Sequence, residues 1–351
     1  MDIWLGLDVG YGYTKIVRGD NLLRTEMFPS ISGSLSTQAG ATATALSMPF
    51  TQWEIDGTER FVGHEVYRAG CRAVYRAYDA NRVDNEHYKF LATVGLALLL
   101  PTSALPPRVH VVTGLPNQFF HAERERLSTA LLGRHHVRER NGSQVVDHTF
   151  VVESIKVLPQ SIGGLSDAYL KGDGTTNTEL NDLHIGGIDI GFRTVDLAGL
   201  NPGWQIDSEA LRPGGDNLGM ATVAKLCESH LSAQWQVNFG IHEIDQALKD
   251  GNVRIRGEIV DIHALVTEWK RQAASQIWEY VTSQWDRLKR LDRIYFMGGG
   301  SIALFEALQE TAPVGITEQR VLLPEAAGAI ARGFAKASAQ WKLLSQEARR
   351  A

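Results

Sequence analysis

The 351-residue chain contains only two cysteines, Cys71 and Cys227, far apart and in no CxxC pair. That scarcity excludes a disulfide framework and fits reduced, buried thiols in a cytosolic protein. The eleven histidines are scattered, with no HExxH and no Cys/His cluster, so no protein-ligated zinc site is expected. Long apolar runs are also missing. The longest, 91–100, stops at Pro101 and is about half of the ~20 residues a membrane-spanning helix needs. No basic segment precedes the first strand, 3–9, so no secretory signal is expected. A formal net charge of −5 excludes a wholesale nucleic-acid binder, leaving DNA contact to a local patch or a partner. Neither a GxxxxGK[ST] P-loop nor a GxGxxG fingerprint occurs.

The length, with 44% hydrophobic and 21% charged residues, fits two globular domains, each able to bury its own core. A strand over 3–9, a Gly10-Tyr11-Gly12-Tyr13 turn and a strand from Thr14 read as a β-hairpin. Residues 30–60 read as loop with short strands, 85–100 as a buried helix, 108–113 as a strand, and 123–132 as part of a helix. A second cycle follows: strand 150–158, helix 161–170, polar loop 171–182, strand 183–189 and return strand 194–198. From 220 to 291 the pattern is mostly helical, clearest over 259–288, where apolar residues recur every three or four positions. Strand 293–297, a glycine turn, helix 301–308 and a last helix from Pro324 complete the chain.

One long-range similarity stands out. Two segments share a plan of apolar strand, Asp, x, Gly, short turn, Thr and second strand. The first carries Asp8, Gly10, Gly12, Thr14 and Lys15; the second carries Asp189, Gly191, Thr194 and Asp196. A glycine-bearing hairpin turn aims backbone N–H groups at one spot, which suits phosphate. An Asp at the strand end beside it suits Mg²⁺, a cation that keeps most of its waters and meets one or two carboxylates. Each Asp-x-Gly alone is an ordinary turn. The matching layout in both halves is what points to a triphosphate site. A third element, Gly298-Gly299-Gly300-Ser301 between a buried strand and a helix, lets backbone approach a flat ligand closely.

In this order, the three elements resemble the phosphate 1, phosphate 2 and adenosine motifs of the actin, Hsp70 and sugar-kinase ATPase superfamily. Within it the chain looks like the bacterial ParM/StbA actins. Phe28-Pro-Ser, Phe61-Val-Gly, Val112-Thr-Gly-Leu-Pro and Leu158-Pro-Gln-Ser fit as well. The resemblance spans essentially the whole chain, although 220–290 carries no diagnostic motif. It implies an α/β fold of two ribonuclease-H-like domains around a nucleotide cleft. Domain I would comprise 1–158 with 322–351, and domain II 159–321.

The resemblance also implies roles. Asp8 and Asp189 would hold hydrated Mg²⁺ through water. Gly10, Tyr11, Gly12, Tyr13 and Thr14, with Gly191, Phe192, Arg193 and Thr194, would cradle the phosphates of ATP or GTP. Lys15 would help to neutralise them, or would be an ordinary strand residue facing solvent. Gly298, Gly299, Gly300 and Ser301 would flank adenine and ribose, with Gly215 and Asp216 near the ribose or Asp216 a helix cap. Gln160 would orient the attacking water. Phe192 and Arg193 make the second turn bulkier than the family's glycine-rich form, and Gln160 stands where ParM relatives carry Glu. Small residues from Pro324 onward would allow close crossing with the 161–164 segment.

Two function classes follow. One is a cytoplasmic ATPase that self-associates into filaments, segregating DNA through an adaptor and needing no membrane. The other is a non-polymerising ATP-binding scaffold of the cell-division or pilus-assembly type. In that reading, Phe334, Trp341 and Leu344, with Lys336, Lys342, Arg349 and Arg350, would form a membrane-surface helix rather than a helix packed on the first domain. A small-molecule kinase would need a carboxylate aimed at a substrate hydroxyl, and no candidate stands out.

Overall fold

A computed structural model describes residues 1–35, 50–71, 73–76, 83–216, 218–285, 288–316 and 319–349. The chain forms two compact units, Met1–Leu180 with Gly328–Ala351, and Asn181–Ala327. The first crossing thus falls at 180/181 rather than at 158/159, because the helix Gln160–Tyr169 packs inside the first unit against Ala329–Ala348.

The first unit holds β1 (Asp2–Val9), β2 (Tyr13–Arg18), β3 (Asn21–Pro29), β4 (Ile31–Ser34), β5 (Thr51–Ile55), β6 (Thr58–Val62), β7 (Ala73–Arg76), β8 (Arg108–Leu115), β9 (Gly133–Asn141) and β10 (Gln144–Pro159). They form one sheet in the order β3-β2-β1-β8-β10-β9-β5-β6-β4-β7. β1 pairs antiparallel with β2 and parallel with β8. It is buried along most of its length, as a strand covered on both faces must be. The helix Glu86–Leu98 covers one face and Ala329–Ala348 the other. Glycine permits the second contact: a Cβ on Gly6 would lie 2.2 Å from the Ala331 carbonyl oxygen. The expected close crossing of the two helices is also present. A Cβ on Gly333 would lie 1.8 Å from the Gly163 carbonyl oxygen, and one on Gly163 would lie 2.3 Å from the Phe334 ring.

The second unit holds β11 (Ile185–Ile190), β12 (Thr194–Asn201), β13 (Gln205–Asp216), β14 (Asn252–Ile255), β15 (Glu258–Asp261), β16 (Arg293–Met297) and β17 (Arg320–Leu322). Its main sheet runs β13-β12-β11-β16-β17, with β11 antiparallel to β12 and parallel to β16. Counted from its own first strand, this is the order three-two-one-four-five. The first unit shows the same order in β3-β2-β1-β8-β10. The repeated hairpin is therefore part of a repeated sheet.

Several expectations change. The helical region 220–291 is interrupted by the β14–β15 hairpin, whose turn residues Arg256 and Gly257 have φ of 50° and 91°. Ile259 is a strand residue, and the helix begins at His263. Four-residue strands are too short to show their period of two against a long helical pattern. The last helix starts at Ala329, after a single 3-10 turn. Phe334 is fully buried and Trp341 meets the Trp4 ring edge-on at 5.4 Å, so this helix is packed on the first unit. Lys336 bonds the Asp167 carbonyl oxygen, and Arg350 lies outside the described residues. The short strands expected within 30–60 are present as β4, β5 and β6. Residues 36–49 of that stretch lie outside the described residues. Among the described residues, no helix is long and apolar enough to cross a membrane.

Candidate functional site

The first hairpin joins β1 to β2. Its register sets Asp8 opposite Lys15 and Val9 opposite Thr14. The Gly10 N–H donates to the Tyr13 carbonyl oxygen at 3.0 Å and closes the turn. Asp8 is only 1% exposed. Its Oδ2 accepts from Lys15 Nζ at 3.1 Å and its Oδ1 from Gln160 Nε2 at 2.7 Å. Lys15 is thus a buried partner of Asp8 and not a solvent-facing strand residue. Gln160 opens its helix directly after Pro159, which has no N–H and a fixed φ. Because its NH₂ group donates to Asp8, its amide oxygen remains the acceptor end. Thr14 is fully buried, and its hydroxyl shares a 3.0 Å hydrogen bond with Ser30. The Gly12 carbonyl accepts from the Ser30 N–H at 2.9 Å. In a trans peptide, carbonyl and N–H point opposite ways, so the Tyr13 N–H faces away from Ser30.

The second hairpin joins β11 to β12. Asp189 stands opposite Asp196, Ile190 opposite Val195, and the Gly191 N–H donates to the Thr194 carbonyl oxygen at 3.0 Å. Register and turn bond match those of the first hairpin. Asp8 corresponds to Asp189, Gly10 to Gly191, Tyr13 to Thr194 and Lys15 to Asp196. Thr14 and Thr194, which align by eye in the sequence, are one position apart in the structure. The corresponding positions also differ in charge. Asp8 faces a lysine, whereas Asp189 faces a second buried carboxylate, Asp196, which accepts from Thr194 Oγ1 at 3.1 Å.

The carbonyls of Gly191, Phe192 and Arg193 accept from the N–H groups of Met220, Ala221 and Gly219 at 3.2, 2.6 and 3.4 Å. The helix Met220–Trp235 is thereby seated on the turn, and any Cβ on Gly219 would lie 2.5 Å from the Gly191 oxygen. In each of these trans peptides the N–H of the next residue points away from the bonded carbonyl.

The third motif packs on this second hairpin. Gly298 has φ of 87°, and a Cβ there would lie 2.4 Å from Asp189 Oδ1. A Cβ on Gly300 would lie 2.7 Å from Ile190 Cγ2. Gly299 alone has open space on that side. Ser301 is fully buried and its hydroxyl donates to the Met297 carbonyl oxygen at 2.5 Å. Gly215 pairs with Val195, and Asp216 with Thr194, at the end of β13. The side chain of Asp216 lies outside the described residues.

The second unit thus brings Asp189, Gly191–Thr194, Gly215 and Gly298–Ser301 together, and the first unit brings Asp8, Gly10–Lys15 and Gln160 together. Asp196 belongs to the repeated segment but was given no role from sequence. Its place seven residues after Asp189, matching Lys15 after Asp8, was the available signal. Among the described residues, no group of three or more His, Cys, Asp or Glu could ligate a metal directly. Buried carboxylates at strand ends, without His or Cys beside them, fit a hydrated hard cation held through water better than a transition metal.

Two sheets of one order, each with an Asp-x-Gly hairpin at its first strand, define the actin fold. Comparison with known proteins agrees. Residues 6–163 match the family model for the N-terminal domain of actin-like proteins, and residues 187–310 match the C-terminal model of the archaeal MreB-like actin homologue. The chain belongs to the actin-like proteins. The archaeal actin homologue Ta0583 aligns at a TM-score of 0.78 and 19% identity over 99% of this chain and 100% of that one. A Ta0583 complex with ADP aligns at 0.74 and 19%, with the same coverage. A 15-stranded ParM filament from Clostridium botulinum aligns at 0.75 and 20% over 97% of this chain and 99% of that one. No curated protein matches the chain.

Proposed function

We propose that this protein is a cytoplasmic, ParM-type actin-like ATPase that binds ATP and polymerises. The observation that carries this reading is the shared register of the two hairpins, with a buried aspartate and a glycine-closed turn in each. In this reading both hairpins bind phosphate, and Gly298–Ser301 with Gly215 and Asp216 would take the nucleoside end. Similarity to an ADP-bound archaeal actin homologue supports the ligand, and similarity to a ParM filament supports the assembly.

In this reading, the N–H groups of the two turns bind phosphate oxygens, and Lys15 adds positive charge beside Asp8. Asp8 and Asp189 would hold Mg²⁺ through water, and the cation would supply charge neutralisation for the phosphates. Gln160 is anchored by Asp8, so its amide oxygen accepts from the attacking water and aims it. An amide is no strong base. Phosphoryl transfer through a loose transition state needs positioning and charge stabilisation far more than proton abstraction. Filament growth follows if nucleotide favours a head-to-tail contact, because a heterologous interface that does not close repeats without limit. Segregating DNA through an adaptor fits the acidic net charge.

Phosphate release by the purified protein with Mg²⁺ and ATP tests the enzymatic part. Steady turnover, reduced by Gln160→Ala while ATP still binds, is the expected result. No turnover at any protein concentration would contradict it.

A further inference from the structure

The helix Gln160–Tyr169 carries Gln160 at its first position and Asp167 two turns further on, at nearly the same angle around its axis. Its start is tied down by side chains. Gln160 donates to Asp8, and Ser161 Oγ donates to Asn117 Oδ1 at 2.7 Å, with both of the latter residues buried. Its far end is held by the last helix, Ala329–Ala348. Arg332 Nε donates to Asp167 Oδ1 at 2.9 Å and Arg332 Nη2 donates to Oδ2, a two-pronged grip on one carboxylate. Lys336 Nζ lies 2.9 Å from the same Oδ1 and also donates to the Asp167 carbonyl oxygen. That carbonyl belongs to the last turn, where oxygens lack intrahelical donors and a cation is favoured.

The Asp167 side chain is only 3% exposed, so these bonds are poorly screened by water. Arg332 grips the side chain and Lys336 the main chain of one residue. The helix can therefore neither turn about its axis nor slide without breaking a charge-assisted bond. The crossing at Gly163 and Gly333 sets how closely the two helices lie, and the clamp sets their register.

We propose that Asp167, clamped by Arg332 and Lys336, is a positioning residue that holds this helix in the register at which Gln160 meets Asp8. It rests on the catalytic reading of Gln160 given above. Asp167 takes no part in the chemistry; it acts on Gln160 along about 10 Å of helix.

The test compares wild type, Arg332→Met, Gln160→Ala and the double variant at one protein concentration. The readouts are hydrogen–deuterium exchange without ligand, titration with ATP and Mg²⁺, and steady-state phosphate release. Arg332→Met leaves Lys336 with Asp167, so a balanced pair remains and only the grip on the carboxylate is lost. Amides of 160–170 should exchange faster in the ligand-free variant. Its kcat should fall about 10-fold, with the ATP dissociation constant within about twofold of wild type. In the Gln160→Ala background the same change should lower kcat by less than about twofold, because the side chain it aims is gone. Should Arg332→Met fail to fold, Arg332→Lys in both backgrounds gives the comparison, since lysine keeps the charge without the planar fork. An unchanged kcat in the folded variant would overturn the proposal. So would equal falls in kcat in the two backgrounds, because the clamp would then serve the fold as a whole. If wild type itself releases no phosphate, the catalytic reading of Gln160 falls first, and the clamp is a structural contact only.

Discussion

Lys15 Nζ lies 3.1 Å from Asp8 Oδ2, with the two side chains only 11% and 2% exposed. Removing one partner of a buried pair leaves an uncompensated charge, which costs more than the pair contributes. Lys15→Met should therefore destabilise the protein by about 3–5 kcal/mol in denaturant melts. Adding Asp8→Asn to the same chain should recover part of that loss. Lack of recovery would mean that Lys15 acts through packing alone.

Gln160 reaches Asp8 Oδ1 at 2.7 Å, and this bond sets which end of its amide is the acceptor. Gln160→Ala should lower kcat by about 10²-fold, the scale of a misplaced reacting group, while leaving the ATP dissociation constant within about threefold. Gln160→Glu would place a second carboxylate against Asp8. Its turnover should gain a pH dependence in the acid range that wild type lacks if the two adjacent carboxyls share a proton.

Gly333 packs where a Cβ would lie 1.8 Å from the Gly163 carbonyl oxygen. Gly333→Ala must push two helices apart and should cost about 1–3 kcal/mol, the usual range for overpacking. Thermal melting reads this directly. Gly299→Ala, at a position with open space, should leave ligand-free stability nearly unchanged.

His110 stacks on Trp4 at 4.2 Å, with Trp341 edge-on at 6.5 Å, and its Nδ1 shares a 2.7 Å hydrogen bond with Ser154 Oγ. Burial lowers its pKa from the ordinary 6.5; Arg108 and Arg349 push the same way, and Asp2 and Glu153 oppose. Between the folded and unfolded values the unfolded chain binds more protons. The stability this group contributes is thus present above pH 6.5 and is lost as pH falls through 6.5 toward the folded value. Tm should decline over that interval, and His110→Gln should flatten part of the decline.

Turn and close-contact positions were more legible in the sequence than the architecture around them. Asp8, Gly10, Asp189, Gly191 and the 298–300 glycines were legible because turns and close backbone contacts restrict residue type at fixed spacings. The central strands were legible as apolar runs. The β14–β15 hairpin was not, since its strands have only four residues each and lie within a helical pattern. The offset between Thr14 and Thr194 was also hidden, because only pairing register shows which residues face each other. The Lys15/Asp196 contrast depends on which strand residues face each other, which no local pattern reports.

Sedimentation with negative-stain microscopy is the most direct test of nucleotide-driven assembly. Wild type and Asp189→Ala would be compared with Mg²⁺ and ATP, with ADP, and without nucleotide. Filaments formed by wild type only with ATP, and lost in Asp189→Ala, are the expected result. Tight ATP binding without filaments over a wide range of protein concentration would contradict polymerisation and leave a nucleotide-binding scaffold in its place.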